Sequence, residues 1–413
     1  MRKNTILLAA ALFGAGAAGF AQQRTSIGVA SNFEGGNVGK VERVSAAHLR
    51  CASPGQSDQD HRNRQADWYY FELTNLPQTP VTIDLVDLGE EYDYRIQHSV
   101  TKDTRPVYSY DRVNWTHFSD SEVSWEDKEP HLTLHFTPTS DHIWIAHVPP
   151  YTNQDLARLL DSFRGSPYLE KQSVGRTVEG REMPLLTITN RKIPDSKKKV
   201  IWLMFRQHAW ETGSSWAGDG AIRFLLSDDD RARRVRDENI VKMFPMADPD
   251  GVATGGVRFN KNGYDLNRNW DTIDPHTMPE IAAQQKAILD WVGSGHPLNL
   301  FLSLHNTNAP EYLEAPPAFR ELGERFFQNL VRMTTFNPTT PLRKMDESMA
   351  PGKPGRMTVD QGLYHVRKLP AMLMEQMIEF NSKLGHFPRI SDRQDFGAGL
   401  VQAMAATVRD QVE

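Results

Sequence analysis

The stretch Lys197–Trp216, KKKVIWLMFRQHAWETGSSW, decides the fold class of this chain. Its first half is an apolar run that is too short to span a membrane and is rich in the residues of a buried parallel strand. From Thr212 onward, N-cap residue types followed by helical spacing predict the start of a helix. We therefore expect His208 and Glu211 to lie in a strand-to-helix turn, where open α/β sheets place their ligand sites.

His208 and Glu211 have the spacing of a metal-binding pair, because an imidazole and a carboxylate on one turn can converge on a single Zn²⁺. The spacing alone is weak support, since a chain with 14 histidines is expected to contain roughly one such pair by chance. A third ligand is predicted at His305, which ends the apolar run that begins at Leu298. A lone histidine there is usually only a hydrogen-bonded polar residue, but in this chain it completes a His/Glu/His set.

Polar side chains also cluster in the loop that follows the next apolar strand. Asn267 and Arg268 place an amide and a guanidinium side by side, which suits the capture of a carboxylate. A helix cap followed by a surface arginine explains this pair equally well. In the same loop, Asp265 could accept a hydrogen bond from a zinc-bound histidine, and Arg258 could face an oxyanion.

Glu375 lies inside the otherwise apolar run Ala371–Ile378, AMLMEQMI. An unpaired carboxylate buried in a strand costs several kcal/mol, so Glu375 is predicted to be either ion-paired or kept for proton transfer. Beside a metal-bound water, it would serve as a general base.

The chain divides into three segments of different character. Residues 1–21 combine a basic start with an apolar Ala- and Gly-rich run, which predicts a cleaved signal peptide and a periplasmic or secreted protein. Residues 22–150 contain short alternating strands and no long helical period, so they predict a small antiparallel β-sandwich domain. In residues 151–413, apolar runs alternate with helical segments, which predicts an α/β domain with a mixed central sheet and helices on both faces. The last helix is expected over Ala398–Asp410.

The composition argues against two classes of function. The net charge of −5 offers no basic surface for nucleic acid. No run after residue 21 is long and apolar enough to span a bilayer, so we expect no membrane insertion after signal cleavage. The aromatic residues of the first domain could line a carbohydrate-binding face, but packing in the sandwich core is the favoured interpretation.

These motifs resemble the zinc metallocarboxypeptidase family, and more narrowly its cytosolic carboxypeptidase-like, deglutamylase-type branch. The matches in the catalytic half are HAWE with the following SSW, DPDGV, DLNRNW, and the histidine and glutamate of the strands. In the first half, the WYYFEL strand and the PPYT junction match. The resemblance implies one zinc ion per chain, bound by His208, Glu211 and His305.

The resemblance also implies how the other candidate residues act on a substrate, which would be the C-terminus of a peptide or protein. Glu375 would take a proton from the attacking water and later return it to the leaving group. Arg258 would polarise the scissile carbonyl. Asn267 and Arg268 would hold the terminal carboxylate of the substrate.

The segment Gly352–Arg356, GKPGR, resembles an element whose arginine is associated in this branch with acidic C-terminal side chains. We therefore predict a preference for C-terminal Glu or Asp, while a solvated loop arginine explains Arg356 equally well. The chain departs from the family in two ways. The segment between Arg356 and Glu375 is longer than in the branch, and Pro341–Asp360 contains no counterpart of the tyrosine that closes over the substrate in the digestive enzymes.

Three alternatives share parts of this pattern. Aspartoacylase-like deacylases, which hydrolyse N-acyl amino acids, also resemble the H-x-x-E and D-L-N-R motifs and the late glutamate, but the N-terminal sandwich weighs against them. An exported carboxypeptidase could instead trim peptidoglycan stem peptides. A zinc-free glycan-binding protein is the non-enzymatic alternative, and the intact set of ligands and base weighs against it.

Overall fold

A computed structural model describes residues 26–97, 99–345 and 356–409. Up to residue 150 these ranges contain strands and no α-helix. The strands of this first part are β1 Gly28–Ala30, β2 Val41–Ser45, β3 His48–Ala52, β4 Gln56–Ser57, β5 Arg64–Gln65, β6 Tyr70–Thr74, β7 Val81–Val86, β8 Glu90–Tyr92, β9 Arg95–Gln97, β10 Val107–Ser109, β11 Thr116–His117, β12 Val123–Glu126, β13 His131–Phe136 and β14 His142–Ala146.

The first part is built on two five-stranded sheets, ordered β1-β6-β14-β10-β11 and β12-β13-β7-β3-β2, with a smaller sheet β4-β5-β8-β9. Side chains from both large sheets, among them Phe71 and Ile83, meet in one buried cluster, which is the arrangement of a β-sandwich. The predicted antiparallel β-rich domain is confirmed. Strands β3 and β7 pair in parallel. They can do so because the chain between them passes through other sheets before returning in the same direction.

The aromatic residues of strand β6 and the turn before it belong to the interior. Trp68, Tyr69 and Tyr70 are each no more than 2% exposed and lie in buried apolar clusters. Packing therefore accounts for these three side chains, as the favoured interpretation of the sequence expected.

The second part combines one sheet with eight helices among the described residues. The strands are β15 Leu169–Arg176, β16 Glu182–Ile188, β17 Lys199–Phe205, β18 Asn239–Phe244, β19 Leu300–Thr307, β20 Tyr312–Ala315, β21 Arg343–Lys344 and β22 Ala371–Met377. The helices are α1 Asn153–Ser162, α2 Thr212–Leu225, α3 Asp230–Glu238, α4 Pro249–Thr254, α5 Pro279–Gly293, α6 Arg320–Met333, α7 Val359–Arg367 and α8 Ile390–Arg409. Short 3₁₀ turns lie at Asp195–Lys197 and Pro317–Phe319.

The sheet of the second part has the order β15-β16-β18-β17-β19-β22-β20-β21 and is mixed. Alternate residues of β17 pack into two different cores, as the period of a strand requires. Leu203 lies in the core beneath α2, α6 and α8, whereas Trp202 lies in the core beneath α5 and α7. The predicted mixed sheet with helices on both faces is confirmed. None of the described helices combines the length and hydrophobicity that crossing a bilayer requires.

The four central strands β18, β17, β19 and β22 are adjacent and parallel. Their carboxyl ends therefore meet at one edge of the sheet, where open α/β sheets bind their ligands. The turn after β17 and the last residues of β19 and β22 bring the predicted site residues to this edge.

Candidate active site

The turn between β17 and α2 is held by a buried arginine. Arg206 adopts a left-handed backbone conformation with φ of 61°, which is uncommon for a residue with a side chain. Its guanidinium donates hydrogen bonds to the carbonyl oxygens of Ala209, at 2.7 and 2.9 Å, and of Tyr151, at 3.1 Å. These bonds close the turn, so that His208 and Glu211 lie together at the start of α2.

His208, Glu211 and His305 converge on one point. Their ligand atoms lie within 4.8 Å of one another. Each oxygen of the Glu211 carboxylate faces one imidazole: Oε1 is 2.7 Å from Nδ1 of His208, and Oε2 is 2.9 Å from Nδ1 of His305. All three residues are no more than 2% exposed.

The outer nitrogen of each imidazole is fixed by an acceptor, which assigns the tautomers. Nε2 of His208 lies 3.0 Å from Oδ1 of Asp265, and Nε2 of His305 lies 3.0 Å from Oε1 of Gln207. A carboxylate can only accept, and the amide of Gln207 is oriented by donating its own Nε2 to a backbone carbonyl at 2.8 Å. In the neutral rings both Nδ1 lone pairs therefore point to the shared centre, and the donor set fits one zinc ion.

The charges of the three residues follow from their partners. Burial raises the pKa of Glu211, but His208 and His305 outweigh that effect and lower the pKa to about 2. Burial lowers the pKa of His305, whose second nitrogen faces a neutral amide. Burial also opposes protonation of His208, but the two carboxylates beside it, Glu211 and Asp265, raise its pKa.

Asp265 links Arg258 to His208. Its Oδ1 accepts hydrogen bonds from His208 and from the backbone N–H of Asn267 at 2.9 Å, and its Oδ2 accepts one from Nε of Arg258 at 2.7 Å. Burial raises the pKa of Asp265, but the charges of Arg258 and His208 outweigh it and hold the pKa well below its usual range. Asp265 is therefore a carboxylate that orients both groups.

Glu375 lies beside the histidine of the neighbouring strand. It stands directly opposite His305 in the parallel pairing of β22 with β19. Its Oε2 is buried and has no hydrogen-bond partner among the described residues. Burial raises the pKa of Glu375 well above its usual range, and the charge of Glu211 adds to the effect. The carboxyl group of Glu375 is thus close to the ligand cluster and forms no ion pair with a described residue.

Asn267, Arg268 and Arg356 are the three residues predicted to bind the substrate. Asn267 uses its side-chain oxygen to accept the backbone N–H of Val359 at 2.9 Å. Arg268 donates to the carbonyl of Asn267 at 2.8 Å, and none of the described carboxylates lies within ion-pair distance of it. Arg258, Arg268 and Arg356 line one cavity.

Two residues of the site are absent from the set predicted from the sequence. Gln207 and Ser303 form a hydrogen-bonded pair, at 2.7 Å, behind His305. Gln207 directly precedes the motif histidine, which is a signal that could have marked it. Ser303 faces the same way as His305 because strand side chains alternate, so the strand assignment could have indicated it.

Two family descriptions match this chain. Residues 157–310 match the zinc carboxypeptidase family, and residues 29–148 match the cytosolic carboxypeptidase N-terminal domain. The first range contains the three converging ligands and the loop from Arg258 to Arg268, whereas Arg356 and Glu375 lie beyond it.

Curated relatives match over about three fifths of the chain. Cytosolic carboxypeptidase 6 of Caenorhabditis elegans is 30% identical over 271 residues, which are 63% of this chain and 58% of the relative. Cytosolic carboxypeptidase 3 of Mus musculus is 28% identical over 281 residues, which are 61% of this chain and 26% of the relative. The chain thus spans less than two thirds of the length of these relatives.

Solved structures with the same fold cover nearly the whole chain. A metallo-carboxypeptidase from Burkholderia cenocepacia has a TM-score of 0.78 at 22% identity, covering 93% of this chain and 99% of its own. A metallo-carboxypeptidase from Pseudomonas aeruginosa has a TM-score of 0.78 at 22% identity, covering 92% and 99%. At this identity they establish the fold, which includes both parts of the chain.

The predicted periplasmic or secreted location is wrong by these comparisons. The matched N-terminal domain is that of cytosolic carboxypeptidases, and the curated relatives carry the same name. The prediction rested on the composition of residues 1–21, which lie outside the described residues. A basic start and an Ala- and Gly-rich run are a short compositional pattern, and they carry less information than a match over a whole domain.

The predictions of a zinc-carboxypeptidase fold, of a peptide hydrolase and of a zinc site are confirmed at the level of the family. The family is one of zinc enzymes, and the His-Glu-His cluster is present at the expected edge of the sheet. The chain thus contains a zinc carboxypeptidase domain, matched over residues 157–310, preceded by the N-terminal domain of the cytosolic carboxypeptidases, matched over residues 29–148.

Proposed function

We propose that this chain is a zinc-dependent metallocarboxypeptidase that removes the last residue from a peptide or protein. The observation that carries the proposal is the convergence of His208, Glu211 and His305 beside Glu375, whose buried Oε2 has no hydrogen-bond partner among the described residues. When bound, zinc supplies a Lewis acid that polarises a carbonyl and lowers the pKa of water to about 7.

The protein's own residues supply the remaining steps. Glu375 accepts a proton from the attacking water as the new C–O bond forms at the scissile carbonyl, and it then donates that proton to the nitrogen of the leaving amino acid as the peptide C–N bond breaks. Nε of Arg258 is held by Asp265 at 2.7 Å, which fixes the direction in which the other N–H groups of the guanidinium face the scissile carbonyl oxygen.

Arg268 is the residue proposed to hold the terminal carboxylate of the substrate, together with Asn267. Support comes from its lack of a carboxylate partner among the described residues, because a guanidinium in a pocket is best satisfied by two parallel hydrogen bonds to a carboxylate. A substrate whose C-terminus is amidated would lose this pairing.

The proposal is tested by identifying the products formed from four kinds of substrate by mass spectrometry. These are peptides with free C-termini, the same peptides amidated, N-acyl amino acids, and peptidoglycan stem peptides. Release of single residues from the free C-termini alone is the expected result. Release of acyl groups would identify a deacylase instead, and cleavage restricted to stem peptides would redirect the assignment of the substrate.

We also propose that Arg356 favours substrates with C-terminal Glu or Asp. The side chain is largely buried, and its Nη2 lies 3.8 Å from Oδ1 of Asp93, which is longer than a direct hydrogen bond. Its guanidinium thus retains capacity for a substrate carboxylate, and an apolar side chain in its place would leave a desolvated charge unpaired. The other residues of GKPGR, Gly352 to Gly355, lie outside the described residues.

The Arg356→Leu variant is expected to lose about 10- to 100-fold in kcat/KM on peptides ending in Glu, the size of a lost hydrogen-bonded charge pair. Peptides ending in Leu are expected to be cleaved as well as before or better. Steady-state kinetics on matched peptide pairs measure the ratio. Arg367→Leu, which changes an exposed arginine of α7, is the matched control. An unchanged ratio of Glu to Leu rates in Arg356→Leu would remove Arg356 from the pocket.

A further inference from the structure

The N-terminal domain holds the loop that carries Arg258. Oε1 of Gln56 accepts three backbone N–H groups, those of Val257, Arg258 and Phe259, at 3.0, 2.7 and 2.9 Å. Its Nε2 donates to the carbonyl of Phe259 at 2.7 Å. One side chain of the first domain therefore satisfies four backbone groups next to the proposed carbonyl-polarising arginine, so the two domains meet at the active site.

Tyr92 brings a second group from the same domain into the cavity that Arg258, Arg268 and Arg356 line. It is the last residue of β8, and it and Gln65 contribute to the wall of that cavity from the N-terminal side. Its hydroxyl oxygen accepts a hydrogen bond from Nη2 of Arg356 at 3.2 Å.

The charges around Tyr92 favour an anionic ligand. Burial alone raises the pKa of the Tyr92 phenol, but nearby guanidinium groups outweigh it and lower the pKa below its ordinary value. The largest of their contributions comes from Arg268, which has no carboxylate partner among the described residues. A phenol polarised in this way is a strengthened donor, and a carboxylate is the acceptor that suits both the phenol and the Arg268 guanidinium.

The proton of the Tyr92 hydroxyl is available for such a ligand. The oxygen acts as an acceptor toward Arg356, and within the described ranges the hydroxyl donates no hydrogen bond to a protein acceptor. Tyr94, the next tyrosine of the hairpin, is 69% exposed and is not among the residues that line the cavity. Tyr92 is therefore the tyrosine of this hairpin that faces the cavity.

We propose that Tyr92 is a substrate-binding residue of the active site, whose hydroxyl donates a hydrogen bond to a carboxylate of the substrate's C-terminal residue. The inference rests on the proposed function, and it means that residues of both domains form the substrate pocket. That carboxylate is either the terminal group, which Arg268 holds, or the side chain of a C-terminal Glu or Asp beside Arg356. The experiment distinguishes the two.

The test compares Tyr92→Phe with Tyr94→Phe on peptides ending in Glu and in Leu. Tyr92→Phe keeps the ring and removes only the hydroxyl, so KM is expected to rise about 10- to 100-fold, the effect of losing a hydrogen bond to a charged group, while kcat changes much less. A rise with both peptides assigns the contact to the terminal carboxylate, and a rise with the Glu peptide alone assigns it to the side chain. Tyr94→Phe is expected to behave as the wild type.

An unchanged KM in Tyr92→Phe, with a wild type that releases C-terminal residues, overturns the inference and leaves the proposed function standing. A fall in kcat alone also overturns it, because a merely structural role would produce that pattern. If the wild type releases nothing, the proposed function fails. The contact between Tyr92 and a substrate carboxylate is then tested by measuring peptide binding to the Glu375→Gln protein with fluorescence anisotropy. If the Glu375→Gln protein does not bind the peptide, or if adding Tyr92→Phe to it does not weaken binding, the proposed role of Tyr92 is wrong.

Discussion

The Glu375→Gln variant is expected to bind zinc as the wild type does and to release C-terminal residues about 10²- to 10⁴-fold more slowly, the range typical of losing a general base. Glutamine has nearly the same shape as glutamate but cannot accept the proton of the attacking water. Because Glu375 lies on β22, opposite His305 and outside the cluster of converging ligand atoms, the zinc content is not expected to change.

Glu379→Gln is the matched control for this variant. Glu379 follows the same strand, but its Oε1 accepts a hydrogen bond from Thr104 at 3.1 Å, which ties it to the N-terminal domain. Turnover by Glu379→Gln is expected to stay within a few-fold of the wild type. Normal turnover in Glu375→Gln would move the proton-transfer role elsewhere, and a large loss in Glu379→Gln would make Glu379 the next candidate.

The His305→Ala variant is expected to lose its zinc and its activity together. Loss of an outer partner of a metal ligand typically costs about 10- to 100-fold in metal affinity, and loss of the ligand itself is expected to cost more. Metal analysis of the purified protein measures the effect directly. Thermal unfolding gives a second readout, because an ion that binds only the folded state raises the unfolding temperature.

The control for His305→Ala is His276→Ala, which changes an exposed histidine of the same domain. It is expected to retain zinc and the zinc-dependent rise in unfolding temperature. Stoichiometric zinc and full activity in His305→Ala would show that the ligand set has been assigned incorrectly.

The parts of the fold that were predictable have a local signature in the sequence. The apolar run before His208 identifies β17, and the runs that end near His305 and contain Glu375 identify β19 and β22. Parallel strands place their carboxyl ends at one edge, so residues far apart in sequence could be expected to meet there.

Helix α8 shows where local pattern misleads. It was predicted to begin at Ala398, but it begins at Ile390, because tertiary packing overrides the low helix propensity of its two glycines. A Cβ on Gly397 would lie 1.8 Å from the carbonyl oxygen of Ala217 in α2. The glycine is thus needed for the close approach of the two helices. Its low helix propensity therefore does not indicate where α8 begins.

The contacts made by Gln56 and Tyr92 could not be read from the sequence for a different reason. Gln56 reaches the backbone at Arg258, and Tyr92 reaches Arg356, across a domain boundary and more than 200 residues of chain. Neither residue belongs to a periodic pattern or to a motif of known spacing. Only the packing of the sandwich against the catalytic domain brings them to the site.

The central claim, that one zinc ion held by His208, Glu211 and His305 serves peptide hydrolysis, is tested most directly by titration of the metal. Zinc is added to chelator-treated protein, and bound zinc is measured together with the release of free amino acid from a peptide with a free C-terminus. Both quantities are predicted to rise together and to level off at one zinc per chain. Full release of amino acid by protein that contains no zinc would contradict the account.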